Sequence, residues 1–165
     1  MTTTIRPWAE TDLPLLVRAN APAMTEYIGG PESEQKVLER HQKYLRFVKE
    51  EQAGIFAIEL DGVPVGGVNW WQSRWNDEDT LETGWFVLPE AQGRGVAAAG
   101  AAAALDDARR RSERRHILAF PATANLPSNA LCARLGFAHL GEEEFPYRDT
   151  VLHVGVWSLH LDDLS

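Results

Sequence analysis

At 165 residues the chain has the length of one domain with a sizeable core, and its formal charge of −8, from 24 acidic against 16 basic residues, disfavours nucleic acid as the main partner while suiting a cationic amine. No apolar run is long enough to cross a membrane, and the start MTTTIRPW lacks the basic-then-apolar pattern of a secretory signal, so a cytoplasmic protein is expected. Cys132 is the only cysteine, which excludes an internal disulfide and a cysteine-built zinc site.

Thr2 to Trp8 reads as a first strand, and Thr11-Asp12 supply capping oxygens for a short helix carrying Leu13, Leu15, Leu16 and Val17. Residues 21–32, with two prolines and the Gly29-Gly30 pair, read as a loop. From Ser33 a longer helix follows, with Val37, His41, Tyr44, Leu45 and Val48 on one face; a lone histidine on such a stripe is more often structural than catalytic. Gly54 is read as its stop. Ile55–Leu60, an Asp61-Gly62 turn and Val63–Trp71 then make a hairpin, whose alternation sends Trp70 and Trp71 to opposite faces, one to the core and one toward a pocket. Residues 72–79, QSRWNDED, read as a polar connection, either solvated or placing acids at the mouth of a cleft.

The stretch around which the rest is organised is 80–111. Thr80, Leu81, Thr83, Trp85, Phe86, Val87 and Leu88 form a β-branched and aromatic run closed by Pro89, hence a strand. Gln92-Gly93-Arg94-Gly95-Val96-Ala97 follows, where the glycines free the backbone and leave its amides unshielded at the start of an alanine-rich helix running to Arg111. Bare amides at a helix N-terminus favour an anion, and Arg94 adds positive charge, so the phosphate of a nucleotide-like cofactor is the natural candidate. Arg109, Arg110, Arg111, Arg114 and Arg115 offset the dipole at the other end and read as a solvated helix terminus. His116–Phe120 is a further strand, 121–126 a loop, Pro127–Leu135 a short helix stopped by Gly136, and strands near Leu140–Phe145 and Val151–Leu159 finish the chain. No repeat or linker divides it, so residues 1–165 read as one domain.

Val87-Leu88-Pro89-Glu90-Ala91-Gln92-Gly93-Arg94-Gly95-Val96-Ala97 resembles the acetyl-CoA-binding motif of the GNAT superfamily of N-acetyltransferases, Q/R-x-x-G-x-G/A, at every defining position. Asn125 to Phe137 resembles that family's second cofactor segment, and its Ser128-Asn129-Ala130 is similar to the branch that acetylates the N-termini of ribosomal proteins. The resemblance implies an α/β fold with a mixed, largely antiparallel sheet of about seven strands flanked by helices. It also implies acetyl-CoA as co-substrate and a primary amine, on a protein N-terminus or a small molecule, as acceptor. A homodimer would be unsurprising; neither nucleic acid nor membrane is an expected partner.

For the site, the resemblance implies that the 80–88 and 116–120 strands part, so that main-chain groups of Phe86, Val87 and Leu88 pair with the pantetheine arm like an added strand. The amides of Gln92, Gly93, Arg94, Gly95, Val96 and Ala97 would hold the diphosphate, and Asn125 and Ser128 would contact the cofactor from the second segment. Glu82 would draw the amine's proton through water, provided Gly84 permits a bulge that corrects its parity relative to Val87; Glu144 is the rival base. Ser128 would protonate the leaving thiolate, its plainer role being the cap of the short helix. Cys132 stands where many relatives carry a tyrosine, and reads either as a proton donor or as a packing residue. A non-catalytic acyl-CoA-binding module is the alternative, whereas a Rossmann domain is disfavoured because no G-x-G-x-x-G follows a first strand.

Overall fold

The computed structural model describes residues 1–164; Ser165, the last residue of the expected domain, lies outside the described residues. Strands β1 (Thr3–Pro7), β2 (Gly54–Leu60), β3 (Val63–Trp75), β4 (Glu78–Val87), β5 (His116–Ala119), β6 (Ala138–Tyr147) and β7 (Thr150–His160) form one seven-stranded sheet in the order β1-β2-β3-β4-β5-β7-β6. Every neighbouring pair is antiparallel except β4 with β5. The parallel step is the one that needs a crossover, and helix α4 (Val96–Arg111) supplies it.

Strand β2 explains why both faces of the sheet are covered. Its Phe56, Ile58 and Leu60 join one apolar cluster, while Ile55 and Ala57, at the alternate positions, join another. The first cluster packs on Val96, Ala104, Leu105 and Ala108 of α4, a stripe at helical spacing whose small side chains let the helix lie close to the sheet. The second is covered by α1 (Leu13–Ala19) and α3 (Glu34–Val48), through Leu15, Leu16 and Val37. Each large side chain fully buried in this way contributes roughly 1.5–3 kcal/mol, so neither layer is dispensable. Buried His41 accepts a hydrogen bond at Nδ1 from Trp8 Nε1 at 3.0 Å and is structural. Ser33 caps α3, its hydroxyl accepting from the Lys36 amide at 3.2 Å.

Three expectations about the elements are corrected. Residues 72–79 are not a connection: β3 and β4 extend through them, joined by Asn76 and Asp77 at φ 49° and 63°, the positive pair a two-residue hairpin turn demands. Polar residues fill this extension because its faces emerge from the core, and its acids lie at the end of the hairpin far from Val87. Within 21–32, Pro22–Thr25 is a short helix, α2. Gly54 does not stop α3 but sits in β2, where a β-carbon would come within 2.2 Å of Trp70 Nε1. The space lets the buried Trp70 indole reach Asp107 Oδ2 of α4 at 2.9 Å.

The arginines beyond α4 are more than a solvated end. Arg111 donates to the carbonyls of Glu51 and Ala53, and Arg114 to those of Ser73 and Thr80, stitching the helix exit to the sheet. Arg115 pairs with Asp162 at 2.8 Å.

Candidate active site

The sheet opens in its middle. Strand β4 pairs with β5 only through Leu81, Glu82 and Thr83; beyond that point β4 continues to Val87 along β3 alone, and the chain after Ala119 turns toward β7. Which groups of β4 face the gap follows from its register. The Leu88 amide donates to Val65 O at 2.8 Å, which makes that a hydrogen-bonded pair and, by alternation, turns the main chain of Phe86 toward β3 and that of Trp85 and Val87 toward the gap. The Leu88 carbonyl accepts from Ala91, so Leu88 offers no free main-chain group, and Phe86 faces the wrong way to offer one. Of the three residues expected there, only Val87 points outward, and Trp85 is the position missed. Counting alternate residues back from Leu88 identifies it only once the β3 pairing is known.

Gln92 joins this strand to the glycine turn. Its Nε2 donates to Val87 O at 2.9 Å, leaving the Val87 N–H as that residue's outward polar group. Gly93 and Gly95 have φ of 74° and 75°, a left-handed conformation that a side chain would strain, and a β-carbon at either would meet nothing within 4 Å. Gly95 is the N-cap of α4, and no hydrogen bond among the described residues uses the main-chain N–H groups of 93–98. Six donors converge at the positive end of a long helix, beside exposed Arg94. Gly93, Arg94, Gly95, Val96 and Ala97 thus present a surface that fits a diphosphate.

Helix α5 (Leu126–Arg134) carries the second segment. Its cap is Asn125, whose Oδ1 accepts from the Ser128 amide at 3.3 Å; Ser128 lies inside the first turn, so the capping role expected of it falls to Asn125. The Ser128 hydroxyl is therefore not consumed by the helix start. Cys132 is fully buried among the α4-side core residues, and burial pushes its thiol up to about 12. That makes it a weaker acid than an ordinary thiol and a packing residue.

A cavity of about 330 Å³ lies on the α1–α3 face of the gap, lined among others by Met24, Tyr44, Asn69, Trp71, Phe86 and Asn125. Asn125 and Phe86, far apart in sequence, are brought together here. Trp71 lines the cavity while Trp70 is core, which resolves the pair. Asn69 Nδ2 donates to Tyr44 Oη at 3.4 Å, and burial holds the Tyr44 phenol above its ordinary range.

Glu82 sits on this same face, opposite Trp71 and one alternate position from Gly84. The β3–β4 register is unbroken from Gly66/Val87 to Trp75/Glu78, so the bulge expected at Gly84 is absent. Glu82 therefore lies on the α1–α3 face of the sheet while the Val87 N–H lies in the sheet plane, and the two groups point in different directions without any bulge. Burial raises the Glu82 carboxyl above its usual range, with the Ser73 hydroxyl partly opposing. Glu144, the rival, is exposed on the sheet's edge strand and pairs with His153 Nδ1 at 3.2 Å. Neither Glu82 nor Glu144 lines this cavity or the larger one beside it; what separates them is that Glu82 lies on the sheet face that carries Trp71 and Phe86, whereas Glu144 stands on the edge strand.

Comparisons with known proteins agree with this geometry. A family model described as the acetyltransferase (GNAT) domain matches residues 3–138. No curated protein matches the sequence. Among solved structures, yncA from Salmonella typhimurium, a putative acetyltransferase solved with its cofactor acetyl-CoA, is 22% identical over 100% of this chain and 97% of its own, with a TM-score of 0.80. Mycobacterium smegmatis RimJ, solved with a CoA disulfide, is 20% identical over 98% of this chain and 83% of its own, at 0.80. The ribosomal-protein-alanine N-acetyltransferase of Brucella melitensis is 24% identical over 95% and 99%, at 0.79. With a family match spanning most of its length and a sheet that parts where that fold requires it, the chain belongs to the GNAT acetyltransferase family.

Proposed function

We propose that this protein is an acetyl-CoA-dependent N-acetyltransferase whose acceptor is a primary amine, on a protein N-terminus or a small molecule. The observation that carries the reading is the pairing of two main-chain surfaces: the open β4 edge at Trp85 and Val87, and the convergent amides of 93–98. A strand-like amide arm ending in a diphosphate is the ligand shape that fits both. Bound there, acetyl-CoA supplies an activated acetyl group on a thioester.

The chain's own residues then have distinct tasks. Gly93, Arg94, Gly95, Val96 and Ala97 hold the diphosphate, with Gln92 bracing the turn against Val87. The main chain of Trp85 and Val87 aligns the arm, and the Val87 N–H donates to an oxygen that gains negative charge during transfer. Holding both reactants on one sheet edge supplies much of the rate. Glu82, its carboxyl raised by burial, accepts the amine's proton through water from the cavity side. Ser128, with its hydroxyl unused by the helix cap, returns a proton to the departing thiolate. Asn125 lines the cavity beside the arm.

The test is a panel of amines and peptides scored by release of free CoA thiol, run beside calorimetry with acetyl-CoA. Turnover with at least one amine supports the reading. Binding of acetyl-CoA with no thiol released from any amine would leave only an acyl-CoA-binding module.

A further inference from the structure

The chain carries a formal charge of −8, yet a second, larger cleft is lined by more cations than acids. This cleft, of about 610 Å³, adjoins the cavity described above and shares Tyr44, Asn69 and Trp71 with it. Its wall is helix α3. Lys36, Arg40, Lys43 and Phe47 fall at successive turns of one helical face, with Arg46 alongside. The acids of the lining are Glu32 and, on α3 itself between Lys36 and Lys43, Glu39. Glu32 is already committed: it receives both Arg40 and Arg148, the latter at 3.0 Å from the β6–β7 turn. Glu39 accepts a hydrogen bond from Gln35 at 3.3 Å. Among the described residues, Lys36, Lys43 and Arg46 have no carboxylate partner.

Three cations without a carboxylate partner, gathered on one helix face of an acidic protein in a cleft that opens into the cavity at Trp85 and Phe86, identify what the cleft accepts. From Lys36 to Arg46 the helix rises about 15 Å, too far for one carboxylate to meet every cation but matched by roughly four to five residues of extended chain. Resting on the transferase reading above, we infer that the acceptor is a peptide or protein N-terminus followed by an acidic segment, laid along α3 with its amine at the Trp71 end. This reverses the substrate charge expected from composition. The bulk charge describes the surface at large, and the lining of this cleft departs from it.

The experiment measures CoA release with matched hexapeptides that share a first residue and carry acidic, neutral or basic residues at positions two to five, with free glutamate as a further substrate. The acidic peptide should show a KM at least about tenfold below the neutral one, the difference shrinking as salt rises. In the double variant Lys36→Glu with Lys43→Glu, the preference should pass to the basic peptide, a gain that a misfolded variant could not produce. Equal KM values across the panel, or free glutamate matching the acidic peptide, would overturn the inference while leaving the transferase intact. Acetyl-CoA binding without thiol release from any amine would remove the transferase reading beneath it.

Discussion

The two sides of the gap are built from different materials. The glycine-turn side is main chain: amides of 93–98, the Val87 N–H and the outward groups of Trp85. The α3 side is side chain: Tyr44, Asn69, Trp71 and a row of cations, with Glu82 opposite Trp71 on the same sheet face. Backbone donors survive substitution of the residues that carry them provided the φ angles hold, whereas side-chain walls change with each replacement. Under the proposed function, the difference assigns cofactor binding to one side and acceptor choice to the other.

The most severe way to break that division is Gly95→Val. At φ 75° a β-branched residue carries strain on the order of 1–3 kcal/mol, so the turn reshapes although no neighbour blocks the new atoms. Acetyl-CoA affinity is expected to fall about 100-fold by calorimetry; unchanged affinity would mean the turn holds nothing.

Next comes Glu82→Gln, which should lower kcat by about 10²-fold while leaving acetyl-CoA affinity alone. Its pH behaviour sharpens the point. With the folded pKa raised by burial, the rate should rise with pH above the ordinary carboxylate range, and this limb should vanish in the variant. A raised folded value also means that the protonated form's stability is full below the unfolded pKa and is lost as pH rises through the folded one. Glu82→Gln should therefore melt higher than the parent at neutral pH, with the gain fading in acid. A variant less stable than the parent at neutral pH would contradict this.

Ser128→Ala is expected to reduce kcat about tenfold without loosening α5, since Asn125 caps that helix. A large fall in melting temperature would instead give the hydroxyl a structural task. Cys132→Ala should have the smallest effect on chemistry, costing about 1–2 kcal/mol of stability through the void it leaves while turnover holds. A folded variant with little activity would restore the thiol as a donor.

The glycine-turn side was legible in the sequence because its determinants are local. Pro89, Gln92, Gly93 and Gly95 specify a strand end, a brace and two positive φ angles within a few residues of one another. The facing of β4 was not, because it depends on which β3 residue lies opposite, a relation across the sheet. Residues 72–79 misled for a related reason: where a hairpin runs past the core, polar strand looks like polar loop. The cationic row on α3 went unread because amphipathic reading follows the apolar stripe, and Lys36, Arg40 and Lys43 repeat at the same spacing on another face.

The early end of the β4–β5 ladder has a consequence for how the molecule breathes. Sheets ordinarily loosen from their rims, where strands have one neighbour, and stay tight at the centre. Here the amides of Trp85 and Val87 should exchange with deuterium sooner than those of Ala57 and Ile58, although β4 is the fourth of seven strands. The softest seam thus runs through the geometric middle of the protein.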